Sequence, residues 1–384
     1  MDILHSLLKI NARGERKPDF ERFVHAITTN EPAPVTVGDI FADIETVGNF
    51  LSVKVFDWYK LAEDPDHKIG YKEVWEGFRL ARNFVRFCIA AGWDYTFAFS
   101  TIPFPGVTVS INENTSTEVE DGKRGWADDN RGPIMSWQDF ENYKWPKNYR
   151  SINAMSLATA KCVPDGMKVM VIPGGMFEWT TWLMGLVPFS YALADNPELV
   201  DAVIEKVYET IYKVVEGLME EPNIGGIFMG DDLGYATGTM ISPKVLREKF
   251  FPRTKKIVDL VHSANKIAVL HSCGNVYSVM DDIIEMGFDA KHSFEDKIMP
   301  VEQVHAKWGD RIGIIGGVDM DIMAQGSEAD VRKRTREILD ACASKGRYVL
   351  GTGNSVANYI PIKNYKALLS EAQDWNMDNF GRKW

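Results

Sequence analysis

A short apolar or β-branched run, then a polar or glycine-bearing turn, then a stretch with helical spacing: this alternation recurs along the chain and limits its fold more than anything else. The runs are residues 35–38 (VTVG), 94–99 (DYTFAF), 168–173 (KVMVIP), 224–229 (IGGIFM), 266–270 (KIAVL), 288–292 (FDAKH), 312–317 (IGIIGG) and 347–351 (RYVLG). Strands this continuously apolar must be covered on both faces, as in a parallel sheet wrapped by helices.

The helices between them are legible. Asn196-Pro197 predicts a start with Asn as cap and Pro in the first turn. Its apolar stripe is Leu199, Val200, Val203, Val207, Ile211, Val214, Val215 and Leu218. Ser242-Pro243 predicts another start, with Leu246, Phe250, Ile257, Val258 and Val261 turned inward. Ser327 with Asp330 predicts a capping box opening a helix over 328–343, and Pro361 begins a last helix over 361–374. About eight run–helix pairs predict a (β/α)8 TIM barrel, ahead of an open doubly wound sheet, because no GxGxxG follows an early strand.

A length of 384 residues suits one such barrel, so residues 1–384 are expected to form a single domain with a helical N-terminal segment over 1–30. Residues 100–165 break the rhythm; rich in Pro, Gly, Asn, Asp and Trp, they predict an insertion over the barrel mouth. A formal net charge of −11 argues against nucleic acid as a partner and suits a partner protein with a basic face. No apolar stretch approaches the ~18 residues of a spanning helix, and the basic cluster near the start follows its apolar run, the wrong order for a secretory signal. Cys88, Cys162, Cys273 and Cys342 are too few and too scattered for a disulfide framework, which predicts reduced thiols and a cytoplasmic location.

In a barrel of this kind the chemistry sits at the strand C-termini. Those ends read Met229-Gly230-Asp231-Asp232-Leu233-Gly234, His271-Ser272-Cys273-Gly274-Asn275, His292-Ser293-Phe294-Glu295-Asp296, Gly316-Gly317-Val318-Asp319 and Gly351-Thr352-Gly353-Asn354-Ser355. Residues two apart after a strand point the same way, so His271 and Cys273 either converge on a borderline cation such as zinc or are a core histidine beside a buried thiol. Of the adjacent carboxylates Asp231 and Asp232, alternation turns one inward, as a ligand or base, unless they cap a turn. Glu295 is a candidate carboxylate ligand; Asp296 reads as solvated, and His292 as a satisfied strand-end histidine. Asp319 either meets a substrate or caps the next helix, and Asn354 either bonds a substrate or serves a turn. Trp126, Trp137 and Trp145 in the insertion, with Phe177, Trp179 and Trp182 after the third run, suit a flat organic substrate or plain packing. No GxSxG elbow and no GxxxxGK[ST] loop is present.

Taken in order, GDDLG, the Ser-Pro helix start, LHSCGNV, IIEMGFDA, GIIGGVD and GTGNSVANYIPIKNYKAL resemble the uroporphyrinogen decarboxylase superfamily. The opening ERFVHAITTNEPAPV is similar to the start of many members. The likeness is strongest over 225–370 and implies one distorted barrel with a deep cleft at the strand ends. Within it, His271-x-Cys273 resembles the zinc site of the corrinoid-dependent methyltransferases. The resemblance implies a second Cys at position 352, where this chain has Thr, and so a site completed by oxygen from Asp232 or Glu295.

Components that demethylate phenyl methyl ethers are the nearest in pattern. The resemblance implies transfer of a methyl group from a small methylated donor to the Co(I) corrinoid (cobalamin) of a partner protein, in an anaerobic setting. The expected roles are His271, Cys273 and Glu295 on zinc, Asp231 and Asp232 in catalysis, and Phe177, Trp179, Asp319 and Asn354 against the substrate; a homodimer is left open. Two other readings stand beside this one. A metal-free decarboxylase would need clustered arginines, whereas Arg79, Arg82, Arg86, Arg124 and Arg131 are scattered and no RQAGRY-type segment is present. A barrel that binds a tetrapyrrole or corrinoid without chemistry is the third.

Overall fold

The computed structural model describes residue 10 and residues 17–56, 70–100, 102–107, 109–112 and 124–383. Its centre is a curled parallel sheet of seven strands: β1 (Tyr95–Phe99), β2 (Lys168–Ile172), β3 (Ile224–Gly230), β4 (Ile267–His271), β5 (Ala290–His292), β6 (Gly313–Ile315) and β7 (Tyr348–Val349). They pair in that order, each with the next. To within one residue, all seven fall inside the apolar runs of the sequence. Strands β3 and β4 are buried at every residue, as strands covered on both faces must be.

The first run forms no strand of its own. Instead Val37 makes single parallel bridges to Trp93, just before β1, and to Leu350, just after β7, so both sheet edges meet at one residue. The last helix holds this run: Asn376 accepts from Val35 N–H at 2.7 Å and donates to Val35 C=O at 3.1 Å.

The helices around the sheet include α1 (Phe20–Thr28), α2 (Tyr71–Ala91), α3 (Met176–Met184), α4 (Pro197–Glu216), α5 (Phe251–Ser263), α6 (Glu328–Cys342) and α7 (Ile362–Phe380). The stripe read for α4 is its buried face, and each fully buried Val, Leu or Ile contributes about 1.5–3 kcal/mol, so a charge at Val207 would break the packing. Asn196 occupies the cap position of α4, but its side chain makes no cap bond; Pro197 alone marks the start. Ser242 does cap its helix, accepting from Val245 N–H, and the chain then widens into a π turn over Leu246–Phe250 before α5. Pro252 accounts for the widening, since it has no N–H to bond the carbonyl one turn back. Ser327 and Asp330 form the capping box of α6, and α7 runs past the expected end to Phe380.

Of the expected N-terminal segment, residues 1–9 and 11–16 lie outside the described residues, while α1 begins behind the Asp19 cap. The 100–165 insertion holds an antiparallel ribbon, Val109–Asn112 with Arg124–Ala127, and three short helices. It packs on α3: Phe104 lies 4.8 Å from the Trp179 ring and 6.2 Å from Trp145, and Ile134 N–H bonds Leu183 C=O. The Trp126 side chain lies outside the described residues. Arg79, Arg82 and Arg86 share α2 and line one pocket with Val53 and Asn83. Among the described residues, no helix is long and apolar enough to cross a membrane, and all four cysteines are free.

Candidate metal centre at the strand ends

The register of β3, β4 and β5 sets Gly230, His271 and His292 level across three neighbouring strands. The loops beyond are pinned together. Asp231 N–H bonds His271 C=O at 2.9 Å, Leu233 N–H bonds Ser272 Oγ at 3.0 Å, and Asn275 N–H bonds Tyr235 C=O at 2.8 Å. Gly274 has φ +73°, and a Cβ there would meet the Gly234 carbonyl at 2.4 Å, so only glycine lets the HSCG and GDDLG loops touch.

This contact brings three unlike donors together. His271 Nε2 is 3.4 Å from Cys273 Sγ and 3.6 Å from Asp232 Oδ1, and all three atoms lie within 4.8 Å of one another. Tetrahedral zinc, at ~2.0–2.3 Å from N, O and S, needs ligand atoms about 3.3–3.8 Å apart, so two of the separations already fit. Asp232 also accepts from Cys273 N–H at 2.8 Å, which ties the carboxylate to the loop that carries the thiol. Asn354 donates its amide N–H to Cys273 Sγ at 3.1 Å, and Ser293 Oγ, which donates to Gly353 C=O at 3.1 Å, lies 3.9 Å from the same sulfur.

Burial pushes the Cys273 thiol well above its ordinary range, and Asp232 adds to this; burial likewise pushes His271 down. The pair is therefore a neutral imidazole and a protonated thiol until a cation arrives, and binding would release the thiol proton.

The other expected site residues are placed elsewhere. Asp231, read as catalytic, turns away from the donors: its carboxylate accepts from Phe177 N–H at 2.9 Å and Glu178 N–H at 2.9 Å, closing the N-terminus of α3. Burial raises its pKa to about 7, opposed by those amide bonds. Glu295, read as a ligand, is not one of the converging donors; it accepts from Gly274 N–H at 3.0 Å and braces the turn. Phe177, read as lining a substrate pocket, is a core ring against Phe250 and Phe189, because its place in the first turn of α3 turns it into the core. Trp179 stays half-buried among Phe104 and Trp182, its indole N–H on Pro173 C=O. Asp319 caps the short helix Met320–Gln325 and accepts from Asp296 N–H. Asp296, read as solvated, makes two 3.0 Å bonds to Arg334.

Three residues escaped the sequence reading. Asp39 is fully buried and accepts from His292 Nε2 at 3.1 Å and from Thr352 N–H at 3.0 Å and Oγ–H at 3.2 Å. It immediately follows the first apolar run, the same strand-end position that flagged the others. Burial pushes its carboxyl well above the ordinary range and the Thr352 bonds pull it back. His292, satisfied by this bond, faces His271 Nδ1 with its own Nδ1 at 2.7 Å. Lys291 is buried, with its ammonium on Ser293 C=O and 4.3 Å from the Phe294 ring; burial lowers its pKa to about 8. Glu178, in the first turn of α3, is held well above the ordinary carboxylate range by burial and then by Asp232 and Asp231.

The profile of the Uroporphyrinogen decarboxylase (URO-D) family matches residues 108–375. In sequence the chain is similar to the methylcobamide:CoM methyltransferase MtaA of Methanosarcina barkeri, 26% identical over 141 residues, 36% of this chain and 39% of that protein. The MtaA of Methanosarcina barkeri strain Fusaro / DSM 804 matches to the same extent. The chain thus spans well under half the length of these curated relatives. In structure it is similar to a methyltransferase from Methanosarcina mazei, with a TM-score of 0.67 and 16% identity over 92% of this chain and 98% of the other, a likeness of fold. With the family profile covering more than two thirds of its length, the chain belongs to the uroporphyrinogen decarboxylase (URO-D) family.

Proposed function

We propose that this chain is a zinc-dependent methyltransferase that moves a methyl group between a small molecule and the corrinoid of a partner protein. One observation carries the reading: His271 Nε2, Cys273 Sγ and Asp232 Oδ1 converge at the strand ends of a URO-D family fold. The similarity to MtaA, named a methylcobamide:CoM methyltransferase, supports the corrinoid as the other party. We read Val37 as the eighth stave of a closed barrel and the whole chain as one domain, with residues 100–165 over its mouth. The partner would then dock at the strand C-terminal face, in a reducing cytoplasm.

Bound here, zinc would supply a Lewis acid for the heteroatom that carries or receives the methyl group. The chain's own groups do the rest. His271, Cys273 and Asp232 would hold the ion, leaving one tetrahedral position for the substrate. Asn354 donates to the sulfur and draws charge from it. Glu178, in the first turn of α3 and raised by burial, would be the group that gives a proton to a departing oxygen, the role the sequence assigned to Asp231.

For the small molecule we propose a phenyl methyl ether. A donor set with a single thiolate and one carboxylate leaves zinc more electron-poor than two thiolates would, which suits an oxygen leaving group. The half-buried Trp179, Trp182 and Trp145 beside Phe104 offer faces for an aromatic ring. The similarity to MtaA favours a thiol instead, so both belong in the test.

Metal analysis of the purified protein should find stoichiometric zinc, lost in Cys273→Ala. Incubated with a Co(I) corrinoid protein and a panel of methoxyarenes and methylamines, the protein should methylate cobalt from a methoxyarene; transfer to thiols is assayed separately with the methyl-Co(III) form as donor. A protein that takes no zinc, or that transfers no methyl group to or from any of the panel, would refute the proposal.

A further inference from the structure

Behind the donors runs a continuous buried chain of hydrogen bonds: Asp39 to His292 at 3.1 Å, His292 to His271 at 2.7 Å, and His271 out to the three-donor cluster. Both imidazoles and the carboxylate are buried; the imidazoles end two neighbouring strands, and Asp39 follows the bridging run at Val37. The Thr352 hydroxyl accepts from Asn354 N–H at 3.4 Å and therefore turns its own hydrogen to Asp39. With Thr352 N–H and His292 as well, Asp39 Oδ1 receives three donors.

From this geometry we infer that Asp39 and His292 are positioning residues that fix the proton register of His271 and so present its Nε2 lone pair to the metal. A carboxylate oxygen ringed by donors requires the hydrogen of His292 to sit on Nε2. His292 Nδ1 is then an acceptor. His271 must carry its hydrogen on Nδ1, which leaves Nε2 bare and aimed at Cys273 and Asp232. The opposite register, with hydrogen on His271 Nε2, would close the site to a cation. Metal-bound histidines are commonly oriented by a carboxylate or carbonyl on the other ring nitrogen; here a second histidine is interposed, and the carboxylate acts at one remove.

The inference rests on the proposed metal centre, and the experiment separates the two. Zinc affinity is measured by competition with a chromophoric chelator, and the ligand field by the absorption spectrum of the cobalt(II)-substituted protein. Asp39→Ala and His292→Leu should each weaken zinc binding by about 10–100-fold and shift the cobalt spectrum. The double variant should be no weaker than His292→Leu alone, because the other hydrogen-bond path from Asp39, through Thr352 and Asn354, ends on Cys273 and not on His271. Asp39→Asn, which keeps an acceptor oxygen, should recover most of the affinity, and it also covers the event that Asp39→Ala folds poorly. Wild-type zinc binding with Asp39→Ala and His292→Leu unaffected, or with losses that add in the double variant, overturns the relay alone. A wild type that takes up no zinc overturns both readings.

Discussion

Asp231→Ala offers the cleanest separation of structure from chemistry at this site, because the two adjacent carboxylates have been assigned opposite work. Asp231 is 3% exposed and accepts from the Phe177 and Glu178 amides, both at 2.9 Å, at the N-terminus of α3. Alanine removes a helix cap, worth about 1 kcal/mol, and leaves buried N–H groups unsatisfied at about 1–3 kcal/mol. At pH 5 the loss should therefore be about 2–4 kcal/mol.

The loss should shrink as pH rises. Burial lifts the folded-state pKa from 3.8 to about 7, so between those values the native protein binds more protons at this site than the unfolded chain. Wild-type stability then falls with pH by ~1.4 kcal/mol per unit relative to a variant with nothing to titrate, and the difference should be nearly gone by pH 8. The assay is urea unfolding at pH 5 and pH 8 with chelator present, since bound metal stabilises the native state by mass action. Tryptophan fluorescence reports α3 through Trp179, and circular dichroism reports the whole fold. A zinc titration at pH 8 should give wild-type stoichiometry. A stability gap that widens with pH, or lost zinc with unchanged stability, would refute the capping role and return Asp231 to the metal site.

Two shorter tests follow from the same neighbourhood. A Cβ at Gly175 would lie 2.3 Å from the Asp231 side chain, its Cβ included, so Gly175→Ala should destabilise the protein by about 1–3 kcal/mol in thermal or urea unfolding, and an Asp231→Ala background, which keeps that Cβ, should leave much of the loss in place. At Lys291, burial lowers the pKa from 10.5 to about 8, so between those values the native state binds fewer protons than the unfolded chain. Wild-type stability should rise with pH by ~1.4 kcal/mol per unit relative to Lys291→Met across that window and run parallel below pH 8, read by urea midpoints at successive pH values.

The sheet was legible because a strand covered on both faces announces itself as an uninterrupted apolar run; seven such runs match the seven strands to within a residue. The eighth, VTVG, was legible as an apolar run but not as a single bridging residue, since nothing local says that Val37 alone meets both edges. The three converging donors were half legible. His271 and Cys273 share a loop, and their spacing of two is local information. Asp232 was named, but which of two adjacent carboxylates turns inward depends on where α3 begins, and that start comes from a loop more than 50 residues earlier in the chain. Phe177 misled for the same reason. An aromatic after a strand suits a cleft, yet the first turn of α3 sends it between Phe189 and Phe250. Glu295 misled because a carboxylate at a strand end satisfies a backbone amide as readily as a cation, and spacing cannot distinguish the two.

Position 352 ties these threads together. The resemblance places a second thiol there, and the substitution by Thr reads in isolation as the loss of a ligand. In the fold Thr352 serves otherwise, since its hydroxyl and amide both point at Asp39, on the far side of His292 from the donors. The local charge bookkeeping is consistent with this. A second thiolate would add negative charge directly to the cation, whereas the chain keeps one carboxylate at the donors and another buried behind two imidazoles, where its influence arrives only as the orientation of His271. A centre built this way would hold an ion with one sulfur, one nitrogen and one oxygen, and Asp39 would act on it only through the orientation of His271.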